Sequence, residues 1–243
     1  MVGAPMASDY EWRAIPEGEY EIGLRENEAR TFAEQVAREA REAAAREPDL
    51  WRPEREAKRL EEEWGNPEYL YAKLAHRVPA HRVRLPAFSI TTTPVSLADF
   101  TAFRIATRAA PRETFESPGA PHVPEPDEPV TGISWAEAKA LAAWKEAALP
   151  HEAEWEAALR PLGRSPFGSI GHELYEWCAD EFGPYPGADQ QAFGRIAPPP
   201  GGWWGTRVRR GGTIPGFPVN VVTRRGADPA LRLRDTTFRL VRR

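Results

Sequence analysis

The chain is poor in the residues most often tied to redox and metal chemistry: among its 243 residues there are one cysteine, Cys178, and five histidines. A lone thiol excludes an intrachain disulfide, a cysteine-rich zinc site and a two-cysteine redox cycle, so a reducing compartment, the cytoplasm, is the expected location. Long apolar runs are also missing. No stretch approaches the ~20 apolar residues of a spanning helix, and no basic segment leads into an apolar one as a secretion signal would, so no membrane partner is expected. Charge of one sign is not in excess either: 32 Lys and Arg against 36 Asp and Glu leave a formal net charge of -4. That balance argues against nucleic acid as a partner, although Arg224, Arg225, Arg232, Arg234, Arg239, Arg242 and Arg243 make the C-terminal stretch locally basic. Those arginines read as solvated or internally paired.

What the chain does have is proline, glycine and tryptophan, 25, 19 and 9 residues respectively, with 41% hydrophobic content. This composition fits one folded, loop-rich domain over residues 1–243, in which aromatic side chains anchor irregular segments. Trp12 to Leu24 reads as a short strand pair around a Pro-x-Gly turn. Glu28 to about Arg46 is rich in Ala, Glu and Arg and predicts a helix; Pro48 and Pro53 interrupt it before a second charged helical stretch, Glu54 to Trp64. Residues 28–73 thus form a helical insertion, packed through Phe32, Val36, Leu60 and Trp64. His81 to Ile90 predicts a half-buried strand bent near Pro86.

Ser96 with Asp99 predicts a capped helix anchored by Phe100 and Phe103, and Pro111 to Pro129 a surface loop. Ser134 with Glu137 is a capping box, followed by Trp135, Ala138, Leu141, Ala142 and Trp144 at helical spacing. After Pro150 a second helix carries Trp155 and Leu159, and the three tryptophans are expected to be core anchors. Leu174, Tyr175, Trp177 and Cys178 imply burial in a loop-dominated region, while Val208 and Phe238 to Val241 predict closing strands.

The order of these segments is itself a signal. AIPEGEYEIG, HRVRLPAFSITTTPVSLADFTAF, PVTGISWAEAKALAAW, LPHEAEWEAALR, GHELYEWCADEFGPYP, RVRRGG and TTFRLVRR together resemble the formylglycine-generating, or sulfatase-modifying-factor, family. The resemblance implies an α+β fold of the elaborated C-type-lectin-like kind, with little regular secondary structure. It spans nearly the whole chain apart from the helical insertion.

Chemistry does not transfer with it. Oxidases of that family use two cysteines after the Gly-Gly turn to hold copper, and between Gly212 and Arg239 this chain has none, so copper is not expected. Cys178 is expected to be a buried structural thiol. Ergothioneine-type sulfoxide synthases of the family assemble iron on three histidines; His76, His81, His122, His151 and His172 show no such clustered pattern, and His81 and His151 read as structural or exposed. The family's calcium block, GLYDMxGNVWEW, corresponds here to PFGSIGHELYEW. Ser169 replaces its Asp and Glu173 its Asn, leaving Glu173 and Glu176 as the calcium candidates the resemblance implies; otherwise Glu176 pairs with an arginine or backbone amides.

The resemblance also extends to retroelement-diversified variable proteins, which vary between an RGG block and a terminal FRLV block. Thr213 to Thr223 (TIPGFPVNVVT) occupies that place and lacks Lys, Glu, Gln, Met and Trp, as adenine-directed mutation of AAY codons would leave it. The resulting expectation is a non-catalytic scaffold that binds a protein or other macromolecule through this C-terminal surface. Trp203, Trp204, Arg210, Ile214, Phe217, Val219, Asn220 and Arg224 are its candidate binding residues, with Arg210 and Arg224 expected to hold the loop. A divergent metal-dependent oxidase and a structural subunit assembling through the insertion are the alternatives.

Overall fold

The computed structural model describes residues 10–46, 65–108, 125–160, 174–189, 191, 193, 202, 205–212 and 223–243. Strands β1 (Trp12–Ile15) and β2 (Gly18–Ile22) are followed by α1 (Glu26–Arg46), α2 (Pro67–Leu74), a 3-10 turn (Ala75–Arg77), β3 (His81–Leu85) and β4 (Phe88–Thr91). Three helices come next: α3 (Leu97–Thr107), α4 (Trp135–Trp144) and α5 (Glu152–Leu159). The chain closes with β5 (Tyr175–Glu181), β6 (Arg207–Gly211), β7 (Arg224–Ala227), β8 (Thr236–Thr237) and β9 (Val241–Arg242).

The first two strands do not pair with each other, as the strand-pair reading required. β1 lies antiparallel to β4 and β2 antiparallel to β3, so the turn between them passes the chain from one sheet to another. The same switch happens at Pro86. Proline has no N–H to give a ladder, and the expected bent strand divides there into β3 and β4, each in its own sheet. The sheets have orders β1-β4-β9, β2-β3 and β7-β6-β5-β8.

Local chemistry sets the helices. Glu26 and Glu28 stand in the first turn of α1, where a carboxylate suits the helix dipole. Ala29, Ala33, Val36 and Ala37 form one buried stripe, and their small size lets Leu70 and Leu74 of α2 close upon it in a cluster separate from the two larger cores. The proposed stretch Glu54 to Trp64 and most of Pro111 to Pro129 lie outside the described residues. Ser96 caps α3 by accepting from the Asp99 N–H at 3.2 Å, and Phe100 and Phe103 are buried below it. Ser134 and Glu137 form the reciprocal capping box of α4.

The four-stranded sheet is the centre of the molecule. Cys178 of β5 packs in one core with Ile15, Ile22, Phe88, Ile90 and Trp155, whereas its neighbour Trp177 packs in the other with Phe100, Ile133, Leu141, Phe238 and Leu240. Successive strand residues face opposite ways, so this sheet is buried on both faces. Residues read as loop-dominated therefore form a central strand. Trp155 and Trp177 are fully buried, but Trp144, at the last position of α4, is 37% exposed and is not a core anchor.

Candidate functional site

β6 and β7 pair so that Arg210 lies directly across from Arg224, and both side chains are buried. Two like charges side by side need counter-charges. α5 supplies them, because Glu152 and Glu156 are four residues apart and share one helix face. Arg224 grips Glu152 with two parallel bonds, Nε to Oε2 at 2.9 Å and Nη2 to Oε1 at 2.8 Å. Arg210 pairs with Glu156 through Nη2 and reaches Glu152 at 3.5 Å. Further donors are placed as well: Arg224 Nη1 donates to the His76 and Gly183 carbonyls at 2.8 and 2.9 Å, and Arg210 Nη1 donates to the Tyr185 hydroxyl at 3.0 Å. Glu156 Oε1 accepts from the Gly23 N–H at 2.9 Å and from Arg160 at 3.1 Å.

Two arginines and two glutamates thus form an electrically neutral, nearly dry quartet. Burial works against the Arg210 cation, yet Tyr185, Glu156 and Glu152 hold its pKa above the ordinary arginine value. Burial, with Glu152 and Glu156 adding to it against the two arginines, pushes the Tyr185 phenol up to about 12. Neither Arg210 nor Tyr185 is therefore free to exchange a proton near neutrality. The quartet holds β6 and β7 to α5.

A cleft of about 230 Å³ opens beside it, lined by His81, Glu152, Asp180, Gly183, Tyr185 and Arg224 among others. The His81 ring packs at a tilt of 56° against Tyr185, with ring centroids 4.5 Å apart. His151, at the start of α5, meets Asp180 at 2.9 Å. The structural or exposed roles expected of these two histidines agree with their positions, His81 half-buried and His151 exposed.

The metal candidates fare differently. Glu176 presents both carboxylate oxygens to Arg239 Nε, at 3.0 and 2.9 Å, and Oε2 also accepts from Trp155 Nε1 at 2.9 Å. A carboxylate filled by a guanidinium does not fit a calcium ion, so Glu176 takes the arginine-paired alternative; Glu173 lies outside the described residues. Among the described residues no three His, Cys, Asp or Glu side chains come together to hold a metal ion. Cys178 is the only cysteine of the chain, so a two-thiolate centre cannot form within it. Cys178 is fully buried, and burial first, then Asp180, pushes its thiol well above the ordinary value.

Of the binding candidates, Arg210 and Arg224 are brought together in the buried quartet on α5. Trp203, Trp204, Ile214, Phe217, Val219 and Asn220 lie outside the described residues. Sequence reasoning missed Glu152, Glu156 and Tyr185. The four-residue spacing of the two glutamates around Trp155 marks a shared face, but nothing local says that arginines will meet it.

Mixed helices and three sheets with this closing strand order define an α+β protein of the formylglycine-generating-enzyme-like kind. The chain belongs to the sulfatase-modifying factor enzyme 1-like domain family, whose pattern residues 14–168 match. It is similar to the hercynine oxygenase of Mycolicibacterium thermoresistibile, 28% identical over 203 residues that cover 56% of this chain and 46% of that protein. Similarity to the formylglycine-generating enzyme of Thermomonospora curvata is 39% over 62 residues, covering 26% of this chain and 18% of that one. The chain thus spans less than half the length of either relative. Among solved structures it resembles PvdO from Pseudomonas aeruginosa, with a TM-score of 0.58, 17% identity and coverage of 96% and 94% of the two chains. Treponema denticola variable protein 1 superposes with a TM-score of 0.53 at 15% identity, covering 98% and 96%. These two likenesses concern the fold.

Proposed function

We propose that this chain is a binding scaffold of the family, presenting Thr213 to Thr223 to a protein or other macromolecular ligand. The observation that supports this most is the clamp at the two ends of that segment. The Gly211 N–H donates to the Thr223 carbonyl at 3.1 Å, and the adjoining Arg210 and Arg224 are locked to α5 by the buried quartet. Such a base holds its connection at fixed ends whatever residues the connection carries, which is what a display surface requires. Ile214, Phe217, Val219 and Asn220, with Trp203 and Trp204 nearby in sequence, are the contact residues of this reading. The name of the Treponema structure and the lack of a second cysteine point the same way.

A divergent oxidase is the competing reading, and the similarity to a hercynine oxygenase favours it. Aerobic reconstitution with copper or iron, followed by oxygen uptake on a panel of thiols, separates the two. Stoichiometric redox metal with substrate-dependent oxygen consumption would replace the scaffold reading. Folded protein showing neither supports it, and a Phe217→Ala variant should then lose a macromolecular ligand that the wild-type chain retains.

A further inference from the structure

Arg77 closes the 3-10 turn after α2, and its residue surface is only 2% exposed. Buried arginines in this protein are otherwise matched: Arg210 with Glu156, Arg224 with Glu152 and Arg239 with Glu176. Arg77 is the exception among the described residues. Its Nε and Nη2 find no hydrogen-bond partner, and no carboxylate among the described residues forms an ion pair with it. Those two nitrogens are the ones whose N–H bonds run parallel along one edge of a guanidinium, the edge that grips two oxygens of one anion at once.

The neighbours sharpen the point. The groups that act on the Arg77 charge are Tyr175, Arg210, Arg225 and Tyr185, two phenols and two further cations. The Tyr175 hydroxyl is buried and lacks a hydrogen-bond partner too. Arg225, an exposed residue, places its guanidinium 5.9 Å from the centre of the Tyr175 ring. Burial pushes the Arg77 pKa down to about 9, which still leaves the group charged at neutral pH. A buried cation with an unpartnered fork, a spare phenolic donor and a second cation acting on it is a costly arrangement for a chain to keep unmatched.

We infer that Arg77, Tyr175 and Arg225 form an anion-binding site for a carboxylate or phosphoryl group, with the Arg77 fork taking two oxygens and the Tyr175 hydroxyl donating to one of them. Arg225 adds long-range attraction from the exposed side. The site adjoins the Arg210/Arg224 quartet, since His76, the residue before Arg77, bonds to Arg224, but it stands whether or not Thr213 to Thr223 binds a macromolecule.

Isothermal titration with inorganic phosphate and, separately, with acetate at constant ionic strength tests it, on the wild-type chain and on Arg77→Met, Arg77→Lys and Tyr175→Phe variants. The phosphate and acetate arms tell a phosphoryl from a carboxylate site. At least one anion should bind saturably to the wild type, at least tenfold more weakly to Arg77→Met, and several-fold more weakly to Arg77→Lys, which keeps the charge and loses the fork. Tyr175→Phe removes only an unpartnered hydroxyl, so it keeps the test decisive if the Arg77 variants do not fold; binding should weaken several-fold there as well. Absence of saturable binding by both anions, or binding unchanged in Arg77→Met and Tyr175→Phe, would overturn the inference.

Discussion

Arg239 closes both oxygens of Glu176 with its Nε, at 3.0 and 2.9 Å, in a place where both side chains are essentially inaccessible to water. The same guanidinium donates through Nη1 to the carbonyls of Thr91 and Thr92, so it ties the central strand β5 to the end of β4. A residue just before β9 thus fastens one sheet to another. Removing one member leaves the other charged and buried. Glu176→Gln is therefore expected to cost about 3–5 kcal/mol in urea denaturation. The double variant Glu176→Leu with Arg239→Met should cost less than the sum of the two single changes, since the pair is directly coupled. A cost for Glu176→Gln within ~0.5 kcal/mol, the level of ordinary surface changes, would show that the pair is not the buried tie described.

The Gly-Gly turn carries a backbone constraint. Gly212 has φ +76, and a Cβ there would meet the Tyr175 ring at 2.5 Å. Strain and overlap act together, with no flexible chain end to yield, so Gly212→Ala is expected to lose at least ~2 kcal/mol. Its comparison is Gly205→Ala: Gly205 also has positive φ, +74, but open space where the Cβ would stand. The cost at Gly205 should be the smaller of the two by chemical denaturation, and equal costs would mean that Tyr175 does not press on the turn.

His151 and Asp180 give a pH dependence. The hydrogen bond that His151 donates to Asp180 raises the His151 pKa, with burial opposing and the charges of Asp180 and Glu154 adding, while the facing Arg243 works against it. Burial alone would raise Asp180, but the bonds from His151 and from the Glu152 N–H outweigh it and hold that carboxyl below its ordinary value. The imidazolium contribution is complete below the unfolded value of about 6.5 and fades as pH rises through the higher folded value. The carboxylate contribution is complete above about 3.9 and fades as pH falls through the lower folded value. His151→Ala should therefore differ most from wild type between about pH 4 and 6.5, and the difference should shrink as pH rises beyond the His151 transition. The effect is expected to be small and salt-sensitive, because the two side chains are 52% and 30% exposed. A stability difference flat across this range would remove the pair as its source.

Features fixed by neighbours in sequence were legible, and those fixed across the fold were not. Ser134 with Glu137 and Ser96 with Asp99 bring their own hydrogen-bond partners within three residues, so the helix starts could be read directly. Pro86 likewise announces its break. β5 was hidden because a strand buried on both faces shows no alternation, and its polar residues Glu176 and Asp180 find Arg239 and His151 only in three dimensions. β1 and β2 misled for a related reason: adjacent strands suggest a hairpin, but their partners are β4 and β3. In the candidate site, the need of Arg210 and Arg224 for partners was legible, while Glu156 and Glu152 lie 54 and 72 residues away in the chain. Arg77 carries no local mark at all, since an arginine following a histidine says nothing about burial.

Cys178 offers a direct check on the chemistry assigned to this chain. Its side chain is fully buried between α5 and the central sheet, with Sγ 3.9 Å from the Glu176 carbonyl, and its thiol is pushed well above the ordinary pKa by burial, then by Asp180. A thiolate is the form that attacks electrophiles and binds soft metals, and here both charge and access are suppressed. Iodoacetamide at pH 8 is therefore expected to leave Cys178 unmodified in the native chain, on a timescale that fully alkylates the denatured chain, with the product read by intact mass. Cys178→Ala should fold with a cost of no more than ~2 kcal/mol, as loss of one buried side-chain atom allows. Copper uptake should not distinguish Cys178→Ala from wild type. Rapid native alkylation, or copper bound stoichiometrically by wild type and lost in the variant, would show the thiol to be accessible and ionised and would return this chain to the oxidases among its relatives.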